Sequence, residues 1–345
     1  MRICVVGAGA IGGLLAARLS LAGNEVGVLA RGESLRAIAS NGIRLLEPDG
    51  SALVVKAIDV SGDAAALGEQ DLVLLAVKAH QLAGVAVSVP GLFGRDTVVL
   101  TLQNGIPWWF FQKFGGPFDG RRLRSLDPTG ELEQAIPVDR VLGSIAYPAA
   151  EREAPGVVRL VQGDRFPVGE LDGTVSERAS ELAGVLSGAG FTSKVVRDIR
   201  SHIWVKAWGN LAFNPISALT GATLGEMCRF PPSRQLAARM MSEAAVIAES
   251  LGLRLRLSVE QRIEGAERVG DHKTSMLQDA EAGRPLELEA LVGSFVELGR
   301  LTGTPTPAIE AVYFLVSLLD QRIREQVDDA SLPRARPAGA ILPDQ

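Results

Sequence analysis

Residues 3–12 read ICVVGAGAIG, and this stretch decides the fold of the first half of the chain. Residues 3–6 are a short β-branched run of the kind found in buried parallel strands. The glycine-rich loop leads into residues 13–22, which favour a helix with one apolar side, and then into a second strand over residues 25–29. Strand, glycine turn, helix and strand within about thirty residues is the context in which G-x-G-x-x-G indicates a dinucleotide-binding fold.

The glycines of this loop have distinct physical roles. Gly7 permits the tight turn, Gly9 lets the backbone approach a pyrophosphate, and Gly12 allows the helix to pack closely on the strand. The helix N-terminus adds free N–H groups and the positive end of its dipole, which favour an anion. We therefore expect the cofactor to be bound by the whole loop, which consists of Gly7, Ala8, Gly9, Ala10, Ile11 and Gly12.

The end of the second predicted strand indicates which dinucleotide is bound. An NAD site usually carries an acid there to hold the ribose 2′-hydroxyl. Residues 28–32 instead read Val-Leu-Ala-Arg-Gly. Arg31 can pair with a 2′-phosphate and stack on adenine, although it could also be a surface arginine without a ligand. The sequence therefore predicts NADP as the cofactor.

Polar side chains follow two of the other predicted strands. These strands cover residues 53–58, 71–77, 97–102 and 141–147. Lys78 and Gln81 come just after one strand, and Asn104 follows the next. Open α/β sheets bind ligands at this carboxyl edge, so all three side chains are expected to contact the cofactor. For Asn104, the alternative is an ordinary Asn-Gly turn.

The second half of the chain is predicted to be helical, with helices at 203–213, 232–251, 258–269, 285–301 and 307–327. Between the halves, we expect a long surface excursion over residues 113–137, a hairpin over 156–169 and a helix over 176–190. The fold class is thus an α/β Rossmann-type N-terminal domain over residues 1–197 and an all-α C-terminal domain over residues 198–330. Residues 331–345 are expected to be a frayed tail.

Residues 206–214 place three polar side chains in an apolar helical stretch. Lys206, Asn210 and Asn214 stand four residues apart and share one helix face. The stripe either faces solvent or is buried with polar partners. Pro215 follows directly and disfavours helical geometry at Asn214, so this amide is expected to turn into a cleft.

A second polar segment follows at residues 274–289. Pro285 is expected to open a helix and to place Glu287 in its first turn, where the dipole favours an ionised carboxylate. Taken alone, Glu287 could be a favourable N-terminal acid and Ser275 an ordinary helix cap.

In combination, these motifs resemble the ketopantoate reductase family from residue 1 to about residue 319. They are the Gly7–Gly12 loop, Arg31, Val77-Lys78-Ala79, Gln103-Asn104-Gly105, the stretch from Lys206 to Asn214-Pro215, and Ser275-Met276-Leu277-Gln278-Asp279 followed by Glu287. The resemblance implies an active site in the cleft between a Rossmann domain and a helical domain. It also implies NADPH-dependent reduction of 2-dehydropantoate (ketopantoate) to pantoate, a step of pantothenate biosynthesis.

The resemblance further implies a role for each residue of the site. Lys206 would be the general acid and Glu287 its acidic partner. The nicotinamide end and the substrate would be held by Asn104, Asn210, Asn214 and Ser275. An ammonium can supply both a proton and electrostatic stabilisation to the alkoxide that forms at a C2 carbonyl. Burial should lower the pKa of Lys206, and Glu287 should raise it again.

Two departures from the family leave the substrate open. The family often has Glu-Ile-Asp followed three residues later by Asn-Gly, whereas residues 287–293 read ELEALVG, with Val292 in place of the asparagine. The arginine-containing segment 113–137 is also atypical. Three alternatives therefore remain: ketopantoate reductase proper, a family member that reduces another 2-oxo acid as the D-mandelate-type dehydrogenases do, and a non-catalytic NADP-binding protein.

Composition bounds the partners of the 345-residue chain. A net charge of −5 and a pI near 5.5 argue against a nucleic-acid partner. We expect a cytoplasmic protein without a membrane partner, since no secretory signal or run of about 20 apolar residues is found. Cys4 is expected to be a small core residue, as one of only two cysteines. We expect no metal ion, and a homodimer is compatible with the sequence.

Overall fold

Two sheets make up most of the first half of the chain. The computed structural model describes residues 1–331, whose strands are β1 (Arg2–Val6), β2 (Glu25–Leu29), β3 (Ile43–Leu46), β4 (Ala52–Val55), β5 (Asp59–Ser61), β6 (Gln70–Leu75), β7 (Phe93–Thr101), β8 (Val141–Ser144), β9 (Ala149–Ala154), β10 (Val157–Gln162) and β11 (Val168–Gly169). The main sheet has the order β11-β8-β7-β6-β1-β2-β5, and its pairs are parallel except that of β11 with β8. This doubly wound order confirms the predicted Rossmann-type fold.

The helices lie between these strands and in the second half of the chain. They are α1 (Ala10–Leu21), α2 (Gly32–Asn41), α3 (Ala64–Leu67), α4 (Leu82–Ala86), α5 (Glu131–Ala135), α6 (Glu177–Gly188), α7 (Ile199–Thr220), α8 (Leu224–Arg229), α9 (Pro231–Ser250), α10 (Val259–Val269), α11 (Ser275–Glu281), α12 (Ser294–Thr302) and α13 (Pro307–Ser331). A π-helical segment, Glu289–Gly293, runs into α12. From α7 onward the described chain is helical, which confirms the predicted all-α second half.

The central strand β1 is buried on both faces. Residues 3–6 are at most 1% exposed, as expected for a continuous apolar run in a parallel sheet. Cys4 lies within this core, where burial raises the pKa of its thiol to about 12. Its prediction as a core residue is confirmed.

The second sheet, in the order β4-β3-β10-β9, packs against α1. Its strands β9 and β10 form a hairpin around Gly156, whose φ of +75° suits glycine. The hairpin predicted over residues 156–169 is wrong, because β10 pairs with the strand before it and β11 belongs to the main sheet. The strand predicted over residues 53–58 is confirmed only in its first half, because β4 ends at Val55. The chain leaves the second sheet after β4, and β5 then pairs with β2.

Helix α7 is the centre of the helical half and packs against α9, α11 and α13. It continues through Pro215, so the expected break at Asn214 is wrong. A proline inside a helix costs about 3 kcal/mol, because it removes a hydrogen bond and its ring crowds the preceding turn. Leu211, Phe213 and Ile216 around it are buried in the helical core, and this packing holds the helix together.

The helix predicted over residues 285–301 begins later than expected. Pro285 and Leu286 lie outside it, and Glu287 immediately precedes the first helical residue, Leu288. The N–H of Leu286 donates to Asp320 Oδ1 on α13 over 2.7 Å, which keeps this stretch out of the helix. The prediction that Glu287 occupies the first turn is therefore wrong.

Residues 113–137 are only partly a surface excursion. Leu123, Leu132 and Ile136 are at most 2% exposed and join the cores of the two halves. The N–H groups of Arg124 and Ser125 donate to the carboxylate of Glu297 on α12, each over 2.8 Å. The expectation of a simple surface segment is wrong, because its apolar residues are buried between the halves.

Two further expectations concern the C-terminal tail and the absence of a membrane partner. The tail predicted over residues 331–345 lies outside the described residues, apart from the end of α13. Within residues 1–331, no helix is both long and apolar enough to cross a membrane.

Candidate active site

The carboxyl edge of the main sheet borders a cleft of about 980 Å³ that also contacts the helical half. The predicted cofactor residues that line it are Gly7, Ala8, Gly9, Ala10, Ile11, Arg31, Lys78, Gln81 and Asn104. Gly12 does not line it. A Cβ on Gly12 would overlap the carbonyl oxygen of Gly7, so this glycine allows close packing between α1 and the loop.

The glycine loop has the shape that an anion site requires. Gly7 has a φ of +106°, and its N–H donates to the carbonyl oxygen of Leu29 over 3.0 Å. A Cβ on Gly9 would meet no atom within 4 Å, so the loop is open on the cleft side. Gly9 is the N-cap of α1 and has no side chain that could bond the free N–H groups of the first helical turn. These N–H groups are therefore available to a ligand.

Two arginines lie at the end of the cleft beside β2. Arg31 is exposed and directly precedes α2, whereas Arg152 extends from β9 of the second sheet. Nη1 of Arg152 donates to Ser34 Oγ on α2 over 3.3 Å. Sequence reasoning missed Arg152, because only the pairing of the sheets brings β9 to this end of the cleft.

Lys206 reaches from α7 toward the sheet. Its ammonium donates to Asn104 Oδ1 over 2.8 Å and to the carbonyl oxygen of Ala146. Burial lowers the pKa of Lys206 to about 8, while the carboxylate of Glu287 opposes the shift. The lysine is therefore directed into the protein at the carboxyl edge of the sheet, and not into open solvent.

Glu287 is a second ionisable residue that lies near Asn104. Its Oε1 accepts a hydrogen bond from the N–H of Ala79 over 3.0 Å, and Asn104 lies within hydrogen-bonding reach. Burial raises the pKa of Glu287, and the N–H of Ala79 and the ammonium of Lys78 oppose the increase. Asn104 thus connects the two groups that were predicted to act together.

The remaining residues of the stripe have different environments. Asn214 is 5% exposed, and its Nδ2 donates to Ser275 Oγ at the start of α11 over 3.4 Å. Asn210 is half-buried and makes no side-chain hydrogen bond to any described residue. Ser275 is exposed and, like Glu287, lines the cleft. The structure therefore brings Asn214 and Ser275 together and leaves the amide of Asn210 without a partner in the described chain.

Lys78 forms an ion pair that sequence reasoning missed. Its Nζ lies 2.5 Å from Asp279 Oδ2 on α11, and Asp279 Oδ1 also accepts from Arg284 Nε over 3.0 Å. The pair connects the sheet edge with the helical half. In the sequence, Asp279 is only one residue of the motif that begins at Ser275. Its separation of 201 residues from Lys78 gives no sign of this contact.

Val292 does not line the cleft. It is fully buried in the π-helical segment and packs in the helical core. The departure at this position therefore changes a core residue behind the site. Over residues 1–327, where side chains are described, no group of three or more His, Cys, Asp or Glu side chains is arranged to hold a metal ion.

Comparisons with known proteins agree for both halves of the chain. A family model described as ketopantoate reductase PanE/ApbA matches residues 3–173, and one described as its C terminal matches residues 198–320. A 2-dehydropantoate 2-reductase of Mesorhizobium japonicum is 51% identical over 320 residues, which are 92% of this chain and 98% of that protein.

Solved structures extend the similarity. A candidate ketopantoate reductase from Ralstonia solanacearum MolK2 superposes with a TM-score of 0.89 at 42% identity, covering 93% of this chain and 98% of that one. A D-mandelate dehydrogenase with NADH and anilino(oxo)acetate gives a TM-score of 0.80 at 23% identity, covering 94% and 100% of the two chains. The second likeness shows a common fold.

Proposed function

Because the chain belongs to the ketopantoate reductase family, we propose that this oxidoreductase uses NADPH to reduce the C2 carbonyl of 2-dehydropantoate, forming pantoate. The observation that carries the proposal is the ammonium of Lys206, held beside Asn104 at the edge of the cleft. A protonated amine at this position is the group that a carbonyl reduction needs.

The cleft suits a phosphorylated dinucleotide. Gly7 and Gly9 leave the loop open to a pyrophosphate, and the N-terminus of α1 favours its charge. Arg31 and Arg152 can bind a 2′-phosphate by charge-assisted hydrogen bonds. When bound, the reduced nicotinamide supplies the hydride. Lys78, Gln81 and the loop residues would hold the rest of the cofactor.

In the proposed mechanism, Lys206 protonates the oxygen of the substrate carbonyl. Its lowered pKa, about 8, favours proton release while most of the lysine is still protonated at neutral pH. Asn104 fixes the ammonium through its Oδ1, and Glu287 stabilises the charged form. Asn210, Asn214 and Ser275 would bind the polar groups of the substrate.

We also propose that the chain forms two domains with different functions. Residues 1–197 would bind the cofactor, and residues 198–330 would supply Lys206 and most of the substrate contacts. The N-cap of α7, Asp198, accepts from the N–H of Ser201 over 3.0 Å, which supports a boundary just before this helix.

A second candidate is the reduction of a different 2-oxo acid. It is suggested by the unusual sequence of residues 287–293, in which Glu287 lines the cleft and Val292 acts on it only through the packing of the core. The chemistry of Lys206 would be unchanged, because every 2-oxo acid presents the same carbonyl beside a carboxylate.

An NADPH-oxidation assay against a panel of 2-oxo acids tests the proposal. We expect the highest kcat/KM with ketopantoate, and at least about tenfold preference for NADPH over NADH from the charge-assisted contacts. Arg31→Ala should reduce this preference, whereas Arg36→Ala should not, because Arg36 is an exposed arginine on α2 that does not line the cleft. Equal rates with both cofactors would contradict the NADPH proposal, and higher efficiency with another acid would favour the second candidate.

A further inference from the structure

The helical half contains a largely buried guanidinium group, and no anionic partner for it lies in the described part of the chain. Arg262 lies on α10, and most of its side chain is buried. Burial lowers its pKa, and the nearby groups that oppose this shift are the Tyr147 phenol and the Cys228 thiol. Among residues 1–327, whose side chains the structure describes, the guanidinium has no salt-bridge or hydrogen-bond partner. Since an unpaired charge is costly to bury, a ligand that supplies the missing acceptor would be strongly favoured.

A glycine on α7 makes room for this guanidinium. A Cβ on Gly209 would overlap Nη2, Cζ and Nε of Arg262. Glycine destabilises a helix interior, so its presence in the middle of α7 calls for a packing reason. Gly209 is three residues from Lys206 and adjacent to Asn210, which places the guanidinium beside the face of α7 that carries the stripe.

Tyr147 links the guanidinium to Lys206, although Arg262 itself does not line the cleft. Tyr147 lies close to it and directly follows Ala146, whose carbonyl oxygen accepts from Lys206. A second cation, Arg165, stacks on the Tyr147 ring with its Cζ 4.6 Å from the ring centre. Arg262 and Asn210 are both partly exposed, and both lie outside the lining of the cleft itself.

We propose that Arg262 binds a carboxylate of the substrate and thereby determines specificity for anionic 2-oxo acids. Its two parallel N–H donors match a carboxylate, and Gly209 provides the space that this arrangement needs. The adjacent amide of Asn210 can donate to the same anionic group. This proposal rests on the proposed function, because it assigns a further substrate contact to the same site. The carboxylate is either that next to the reacting carbonyl or a second one at the far end of a 2-oxo diacid.

Paired substrates with and without the charge test this assignment. Steady-state kinetics would compare ketopantoate with its methyl ester, and a series of 2-oxo diacids with their far-end monoesters. For Arg262→Gln, we expect kcat/KM to fall about 100-fold on the acid, mainly through KM, and less than about threefold on the matching ester. Arg262→Lys should recover part of the loss, because it keeps the charge without the bidentate geometry.

Matched variants separate binding from folding. Arg268→Gln changes an exposed arginine on the same helix, and its kinetics should stay within about twofold of wild type. Gly209→Ala should displace the guanidinium and produce the same acid-selective loss, while Gly184→Ala, at a helical glycine with open space around it, should not. The Kd for NADPH should be unchanged in all five variants.

Each outcome decides between the alternatives. A loss confined to ketopantoate relative to its ester assigns the carboxylate beside the carbonyl, and a loss confined to the far-end charge of the diacids assigns the second one. Equal losses on acid and ester, or none, would overturn the role of Arg262 while leaving the proposed reaction intact. If the wild type reduces no 2-oxo acid, the proposed function fails. Calorimetry with oxamate on the NADP-loaded protein then tests Arg262 directly, since binding that Arg262→Gln does not weaken at least tenfold, or no binding to the wild type, refutes it.

Discussion

At the residue scale, the ammonium of Lys206 has two uncharged oxygen partners and one carboxylate farther away. Asn104 Oδ1 and the Ala146 carbonyl oxygen fix its position, and Glu287 supports its charge without a direct hydrogen bond. A directly paired lysine would hold its proton too firmly to act as an acid near neutral pH. With a pKa of about 8, the lysine is protonated in roughly nine of ten molecules at pH 7.

The lowered pKa predicts the pH dependence of the reduction. A general acid must be protonated, so kcat/KM should be constant below about pH 8 and should fall as the pH rises through this value. Because Glu287 raises the pKa of Lys206, Glu287→Gln should move the break to lower pH. Initial rates of NADPH oxidation between pH 5.5 and about 10 would measure both breaks.

Two lysine variants provide the comparison for this profile. Lys206→Ala should reduce kcat by about 10²- to 10⁴-fold and should remove the break, because no general acid remains. Lys56→Ala, at an exposed lysine on the surface, should retain the wild-type profile. An unshifted break in Glu287→Gln, or near-normal turnover in Lys206→Ala, would refute the assigned roles.

At the element scale, the local sequence pattern predicts a helix or strand correctly where neighbouring residues determine its structure. The strand, glycine turn and helix over residues 2–21 need only local contacts and a buried apolar face, and they form as predicted. The helix end predicted at Pro215 and the helix start predicted at Pro285 are wrong, because the effect of each proline depends on distant partners. The core around α7 maintains a helix through Pro215, whereas Asp320 keeps the chain after Pro285 out of one.

Some residues of the candidate site could likewise be predicted from the sequence, and others could not. The positions of Lys206, Asn104 and Glu287 could be anticipated from a resemblance that covers nearly the whole chain. The contacts of Arg152 and Arg262 could not, since β9 brings Arg152 to the cleft and α10 brings Arg262 against Gly209 of α7. Spacing along a chain carries no information about such approaches, because residues far apart in sequence have no fixed geometry until the elements pack.

The turn at Gly105 packs the sheet edge against the π-helical segment. A single added methyl group is therefore predicted to destabilise the fold. Gly105 has a φ of +84°, and a Cβ would overlap the carbonyl oxygen of Ala290, which accepts from the N–H of Ile106. Gly105→Ala should lower the free energy of unfolding by about 3 kcal/mol or more, from backbone strain plus the overlap. Urea unfolding would measure the change, and kcat should fall because Asn104 is displaced.

A glycine with the same backbone conformation and no neighbour isolates the overlap. Gly50 has a φ of +87°, and a Cβ there would meet no atom within 4 Å. Gly50→Ala should therefore cost only about 1 kcal/mol, with kcat unchanged. Equal destabilisation by the two substitutions would show that the approach to Ala290 is unimportant.

At the scale of the whole molecule, the two halves meet across the cleft through a few polar contacts beside the site. The carboxylate of Glu287 accepts from the N–H of Ala79, and Asp279 accepts from Lys78 in the sheet half and Arg284 in the helical half. Both contacts to the sheet half reach the segment that follows β6. The position of that segment therefore links the cofactor cleft to the helices that carry the proposed acid.

Asp279→Asn tests how strongly this link stabilises the molecule. Asp279 is 5% exposed and contacts two cations, so the loss of its charge should lower the free energy of unfolding by about 1–3 kcal/mol. Asp271→Asn is the matched control, because its pair with Arg229 lies on the surface of the helical half and should contribute less than about 1 kcal/mol. Urea unfolding at low and high salt would compare them, with the greater salt sensitivity expected for Asp271. If the two variants unfold at the same urea concentration, Asp279 does not hold the halves together, and the remaining contacts between the two cores must do so.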